Sequence, residues 1–139
     1  MVRPADLPRK AGPVIVGIGI DLVSVSRIGA VLERRGERAR ARFFTPAEAA
    51  RCGASRSPAE SFAARFAAKE AFYKALGTGV GGAGGWTEVE VVSAPSGAPG
   101  LRLSGRAARA AAERGVARVH LSLTHSGDTA AAVVVLEAG

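Results

Sequence analysis

SPAESFAARFAAKEAFYKALG, residues 57–77, is the stretch around which the rest of the chain must be arranged. Ser57-Pro58-Ala59-Glu60 is a helix-opening pattern, with a capping hydroxyl, a proline at the first helical position and a glutamate that reaches back. Gly77 supplies the stop, because glycine enters the left-handed conformation that ends helices without a Cβ clash. The spacing predicts one helix over 58–76. At about 100° per residue, Phe62, Phe66 and Tyr73 form one stripe, and Glu70 falls on its edge. Alanines occupy the remaining faces at 63, 64, 67, 68, 71 and 75. Residues that small let a helix lie close on a sheet.

The sheet begins at VIVGIGI, residues 14–20, a β-branched apolar run that ends at Asp21. Period two places Val14, Val16, Ile18 and Ile20 on one face and Ile15, Gly17, Gly19 and Asp21 on the other. Two glycines weaken a strand, so they mark a close approach. The alanine-rich helix fits that face, with Asp21 at the strand's C-terminal end. Ser24 caps a helix to about Arg35 whose stripe is Val25, Ile28, Val31 and Leu32, and a short basic segment follows to Arg42. Thr45-Pro46-Ala47-Glu48 is a capping box. Five of the seven residues 79–85 are glycine, which predicts a mobile loop. Thr87–Val92 and Leu101–Leu103 read as strands around a turn, and Ala107–Arg114 as a helix ended by Gly115. Arg118–Thr124 and Thr129–Leu136 form a closing hairpin that turns at Ser126-Gly127-Asp128. The fold class is α+β, with a long central helix packed on a mainly antiparallel sheet. Residues 14–139 are expected to form a single domain, preceded by a loose extension over 1–13.

Length and composition agree: 139 residues, 47% apolar, suffice for one modest core and exclude a disordered polar tail. Cys52 is the only cysteine and there are two histidines, so a disulfide is excluded and a protein zinc cage disfavoured. No apolar run approaches the ~18 residues of a membrane span. Residues 1–13 carry Arg3, Arg9, Lys10 and three prolines without a hydrophobic stretch, unlike a secretory signal. A cytoplasmic protein without a membrane partner is expected. Nineteen Lys+Arg against twelve Asp+Glu give a net charge of +7, which points to an anionic partner without saying which.

Candidate chemistry concentrates in few places. Gly17-Ile18-Gly19 lacks the third glycine and the βαβ alternation of a dinucleotide fold, and no GK[ST] follows a glycine-rich loop. Asp21, one of only three aspartates, is either a turn-capping residue or a ligand for a hard metal. Glu70, beside three aromatics, faces the interior or a cleft and needs a partner. A salt bridge with Lys74 one turn on would provide one. Yet Lys69 and Lys74, two of only three lysines, and Arg65 also surround Glu70, as suits a polyphosphate and magnesium site. His125 ends a strand on the Leu121 and Leu123 face, while His120 points the other way. Six arginines lie between Arg27 and Arg42 against Glu33 and Glu37. No aromatics interleave before Phe43, so stacking on single-stranded bases is poorly supported.

Three stretches together resemble the holo-[acyl-carrier-protein] synthase family of 4′-phosphopantetheinyl transferases: GIGIDLV at 17–23, RFAAKEAFYKALGTG at 65–79, and Val119–Glu137 with Ser122, His125 and the alanine-valine strand. The resemblance covers nearly all of the chain from Val14 onward. It implies a phosphopantetheinyl transferase-like fold and Mg²⁺-dependent transfer of phosphopantetheine from coenzyme A to a serine of an apo acyl carrier protein. It implies further that Asp21 and Glu70 bind the magnesium and that Lys74 lies near the pyrophosphate. Arg65 and the Gly77-Thr78-Gly79 turn would contact coenzyme A, and His125 would lie by the bound nucleotide. Arg27, Arg34 and Arg35 would grip the acidic carrier protein, and the assembly would be a homotrimer with sites between subunits. The extension over 1–13, Ala98 in place of a lysine, and the glycine-rich loop depart from the family pattern.

The physics of the reaction agrees, since cleaving a pyrophosphate requires charge neutralisation more than covalent help. Glu70 itself or a metal-bound water is the candidate general base. The competing class is a small basic nucleic-acid-binding module, which accounts for the charge but not for Asp21, Glu70 and the lysines. The sequence does not choose between a fatty-acid and a polyketide carrier.

Overall fold

The computed structural model describes residues 14–139, so the 1–13 extension lies outside the described residues. Strand β1 (Ile15–Ser24) leads into α1 (Val25–Arg35), α2 (Glu37–Phe43), α3 (Pro46–Gly53) and the long α4 (Pro58–Leu76). A 3-10 turn at Trp86–Glu88 precedes β2 (Val89–Ser93), β3 (Pro99–Leu103), α5 (Gly105–Glu113), β4 (Val116–Ser126) and β5 (Thr129–Ala138). β5 is central in a three-stranded antiparallel sheet of order β1-β5-β4, and β2 and β3 form a separate antiparallel ribbon. The class is α+β, as read.

The glycine face sets the architecture. A Cβ added at Gly17 would run into the Ala75 carbonyl, and one at Gly19 into the Ala71 carbonyl. Strand and helix therefore meet backbone to backbone, with Ala67, Ala68 and Ala71 fully buried along the contact side. The α4-facing residues of β5, Ala130, Ala132, Val134 and Leu136, complete this core. Neither strand nor helix backbone can yield to a methyl at position 19. Gly19→Ala is therefore expected to cost about 1–3 kcal/mol or more, a fall in melting temperature of about 5 °C or more. A thermal melt indistinguishable from wild type would contradict this packing.

Local caps form where the sequence places them, with one exception. Ser24 Oγ accepts from the Arg27 N–H (3.2 Å), and Thr45 and Glu48 make both bonds of a capping box. Gly77 closes α4 in the left-handed region at φ 80°. Ser57 makes no side-chain capping bond, because its backbone (φ −131°, ψ 79°) leaves the usual capping conformation and Pro58 alone starts the helix.

Several element ends shift by a few residues from the sequence reading, and two of these and one loop bear on the site. Asp21 does not end its strand, since Leu22, Val23 and Ser24 go on pairing with Ala131, Ala130 and Thr129. Residues 86–88 form the 3-10 turn before β2 rather than part of the strand. The loop expected to be mobile is tied down: Tyr73 Oη donates to the Gly85 carbonyl (2.6 Å), the Gly85 N–H donates to Glu88 (2.7 Å), and Arg106 donates to the Gly81 carbonyl (3.0 Å). Among the described residues, no helix is long and apolar enough to cross a membrane.

Candidate active site

The glycine face of β1 runs on to Asp21, whose neighbour on β5 is Ala132, a residue of the α4-facing row. That alternation turns the Asp21 carboxylate toward α4. There Lys74 Nζ donates to Asp21 Oδ1 (2.9 Å) and to the Ile20 carbonyl (3.1 Å). Lys74 thus makes its hydrogen bond to Asp21 rather than the helical bridge to Glu70, which corrects the local-pairing expectation. The bond raises the proton affinity of Lys74. Glu70 is half-buried; burial first, and then the negative charge of Asp21, push its carboxyl up, while Lys74 opposes them. The three side chains therefore act on one another where helix crosses strand. The negative charge of Asp21 thus reaches Glu70, a setting that a cation would relieve.

Arg65 and His125 lie elsewhere. They line one groove of about 410 Å³ together with Ser57, Glu60, Ser61 and Thr124. Arg65 donates to the Ser61 carbonyl (3.3 Å), while its Nε is buried without a partner among the described residues. His125 Nδ1 lies 3.6 Å from Glu60 Oε2, beyond hydrogen-bond range. Arg65 and Glu70 are five residues apart on α4, about 140° in azimuth. β1, which carries Asp21, and β4, which carries His125, flank β5 on opposite sides. One chain therefore brings Asp21, Glu70 and Lys74 together and keeps them apart from Arg65 and His125.

The turn Gly77-Thr78-Gly79 follows Lys74 at the end of α4. The Thr78 N–H donates to the Tyr73 carbonyl (2.9 Å), and its buried Oγ1 has no partner among the described residues. Arg27, Arg34 and Arg35 are exposed on α1. Arg27 borders an apolar groove of about 350 Å³ floored by Ile28, Val31, Phe43 and Phe66. Arg35 joins Arg38 and Arg42 around a second, basic concavity. The start of α1 is clamped to the β4–β5 turn, because Ser24 Oγ and Ser26 Oγ donate to the Asp128 carboxylate (2.8 and 2.7 Å).

Lys69 is not where its position beside Glu70 suggested. It is fully buried and paired with an equally buried Glu48 at 2.7 Å, so it cannot meet a phosphate. Its place was visible in the spacing: 62, 66, 69 and 73 lie within one narrow arc of the helix, with Lys69 inside the aromatic stripe. Glu48, read only as a capping residue, is its partner.

Comparison with known proteins matches the profile of the 4′-phosphopantetheinyl transferase superfamily to residues 17–134. A relative from Desulforudis audaxviator named holo-[acyl-carrier-protein] synthase is 54% identical over 121 residues, which cover 87% of this chain and 92% of the relative. The crystal structure of holo-[acyl-carrier-protein] synthase from Neisseria meningitidis superposes with a TM-score of 0.82 at 36% identity, covering 88% of this chain and 98% of that one. The Helicobacter pylori enzyme, solved in complex with coenzyme A, gives a TM-score of 0.77 at 32% identity, covering 86% and 99%. With the glycine-faced strand, the alanine-rich helix and the carboxylates at their crossing, these matches place the chain in the 4′-phosphopantetheinyl transferase superfamily.

Proposed function

We infer that this chain transfers 4′-phosphopantetheine from coenzyme A to a serine hydroxyl of an apo acyl carrier protein and releases adenosine 3′,5′-bisphosphate. The observation that carries the reading is the meeting of Asp21, Glu70 and Lys74 at the crossing of α4 and β1, in a chain related over 87% of its length to a holo-[acyl-carrier-protein] synthase. The relatives give no support to the basic nucleic-acid-binding alternative.

In the reaction the serine oxygen attacks the phosphorus that bears pantetheine, the bond to the bridging pyrophosphate oxygen breaks, and the serine proton must leave. Negative charge grows on the phosphoryl oxygens and on the departing phosphate. Lys74 supplies positive charge beside the carboxylates, and Arg65 and His125 supply hydrogen-bond donors for the nucleotide. Glu70, its carboxyl pushed up by burial and then by Asp21, is the side chain placed to accept the serine proton. Among the described residues there is no cluster of three or more His, Cys, Asp or Glu. Two carboxylates suit Mg²⁺, which takes one or two and completes its shell with phosphate oxygens and water. Asp21 and Glu70 would hold it, and when bound it would neutralise charge on the pyrophosphate.

The outer face of the sheet supports a homotrimer. Opposite α4, Ile18, Ile20 and Leu22 are 64%, 60% and 66% exposed and pair across with Val135, Val133 and Ala131. A contiguous apolar face of this kind marks an interaction surface. Covering it with copies of the same chain would set the Asp21–Glu70 edge of one subunit against the Arg65–His125 groove of the next.

Docking of the acidic carrier falls to α1. Arg27→Glu is expected to raise the KM for the carrier at least tenfold, with a steep salt dependence, and to leave the coenzyme A dissociation constant nearly unchanged. Equal loss of both would move Arg27 into the coenzyme A site. The function itself is tested by incubating the protein with apo carrier, coenzyme A and Mg²⁺ and weighing the carrier. A gain of one phosphopantetheine is expected, and an unchanged mass with coenzyme A demonstrably bound would reject the reading.

A further inference from the structure

We propose that the buried Lys69–Glu48 pair positions Glu70: by fixing the rotation and axial register of α4, it sets the Glu70 carboxylate against Asp21. The inference rests on the transferase reading above and concerns two side chains whose hydrogen bonds go to neither Asp21, Glu70 nor Lys74.

Both members are fully buried, where an ammonium or carboxylate survives only with every partner supplied. Here the supply is complete. Lys69 Nζ has three protons, and it donates to Glu48 Oε1 (2.7 Å), the Trp86 carbonyl (2.9 Å) and the Val89 carbonyl (2.7 Å). These acceptors belong to α3, to the 3-10 turn and to the start of β2, so the ammonium is held from three separate elements. Glu48 is held in turn, accepting from the Thr45 N–H (2.9 Å) and the Val91 N–H (2.8 Å).

Toward β1, the polar bonds of α4 are those of the exposed Lys74 to Asp21 and the Ile20 carbonyl, and the rest of that contact is backbone and methyl. Gly17 and Gly19 meet the helix backbone at Ala75 and Ala71, and Ala63, Ala67 and Ala68 are buried beside them. Contacts between methyls and bare backbone exclude water well but resist sliding and rotation poorly, whereas three directional hydrogen bonds resist both. Residues 69 and 70 differ by about 100° in azimuth, so the same helix turn that buries Lys69 aims Glu70 at the β1 edge. A rotation of about 10° moves a group some 5–6 Å from the helix axis by about 1 Å. A misplacement of that size can cost about 100-fold in rate. An apolar pair could fill the same space at little loss of stability. What an apolar pair does not supply is a fixed angle.

The test is the volume-conserving double variant Glu48→Gln/Lys69→Met, with Glu48→Asp beside it. Glu48→Asp keeps both charges and shortens the tether by one methylene. The double variant should fold, with transfer kcat/KM lowered about 30- to 100-fold per folded molecule. Calorimetric titration of Mg²⁺ into its coenzyme A complex should show binding about tenfold weaker. Glu48→Asp should lie between it and wild type on both readouts, and decides alone if the double variant does not fold. A folded variant with wild-type Mg²⁺ affinity and kcat/KM would overturn the proposal. So would losses that merely follow the unfolded fraction and vanish well below the melting temperature. Failure of the transferase reading looks different, for then wild type itself leaves the carrier unmodified, and this proposal falls with it.

Discussion

Glu70→Ala and Asp21→Ala should each lower transfer to the carrier at least about 1,000-fold, while the melting temperature stays within a few degrees of wild type. The kinetic part follows from the charge that a broken pyrophosphate must shed. The stability part follows from exposure. Asp21, with its side chain 14% exposed, bonds a Lys74 that is 53% exposed, and a pair open to solvent at the lysine end contributes only about 1 kcal/mol. Glu70 is pushed up by burial and by Asp21, so its charge is not a source of stability that truncation would remove. The two carboxylates should also act as a unit. The double variant Asp21→Ala/Glu70→Ala should then transfer no more slowly than the worse single variant, rather than at the product of the two losses. Carrier mass against time gives the rates, and a thermal melt gives the stability. A single variant that keeps a tenth of wild-type activity would remove that residue from the metal and pyrophosphate chemistry.

What could be read beforehand follows the range of the forces involved. Helix starts and stops are set within a turn of the chain, so Ser24, the Thr45–Glu48 box, Pro58 and Gly77 announce their helices in the sequence. The Gly17–Gly19 face is a local pattern with a non-local meaning, and it was legible because only close packing justifies two glycines in a strand. Strand ends carry no such punctuation. Asp21 looks like a terminus after VIVGIGI, yet pairing with β5 costs the polar residue nothing and continues to Ser24.

The site divides the same way. Lys69 and Lys74 stand one and four residues from Glu70, and charge counting treats them alike. The fold separates them through partners 17 to 21 residues from Lys69 and 53 from Lys74, distances over which spacing predicts nothing. Helical phase did hold one clue, because 69 shares the arc of Phe62, Phe66 and Tyr73 whereas 74 does not. The glycine-rich loop was misread for a related reason. Glycine content reports the freedom of an isolated chain, and here Tyr73, Glu88 and Arg106 remove that freedom from outside the segment.

Mixing two inactive proteins should restore activity. If Asp21→Ala chains and Arg65→Ala chains are denatured, combined in equal amounts and refolded, about a quarter of wild-type transfer should return. The argument begins with α4. Its Glu70 side lies within the electrostatic reach of Asp21 on β1, and its Arg65 side shares a groove with His125 at the far edge of the sheet, so one subunit presents the two half-sites in different directions. A closed ring of head-to-tail contacts lets the first half-site of each copy face the second half-site of its neighbour. The apolar row Ile18, Ile20 and Leu22 supplies the surface such a ring would bury. In random trimers about half of the carboxylate half-sites and about half of the arginine half-sites are intact, and they assort independently, which gives about one intact pair in four. Were each site built within one chain, every chain in the mixture would still carry one lesion, and activity would stay at the level of the separate variants. Sedimentation distinguishes a failure of assembly from a failure of the shared site: a trimer without rescue removes Arg65 from a site shared with the neighbour's carboxylates, and a monomer that turns over at full rate removes the need for a neighbour.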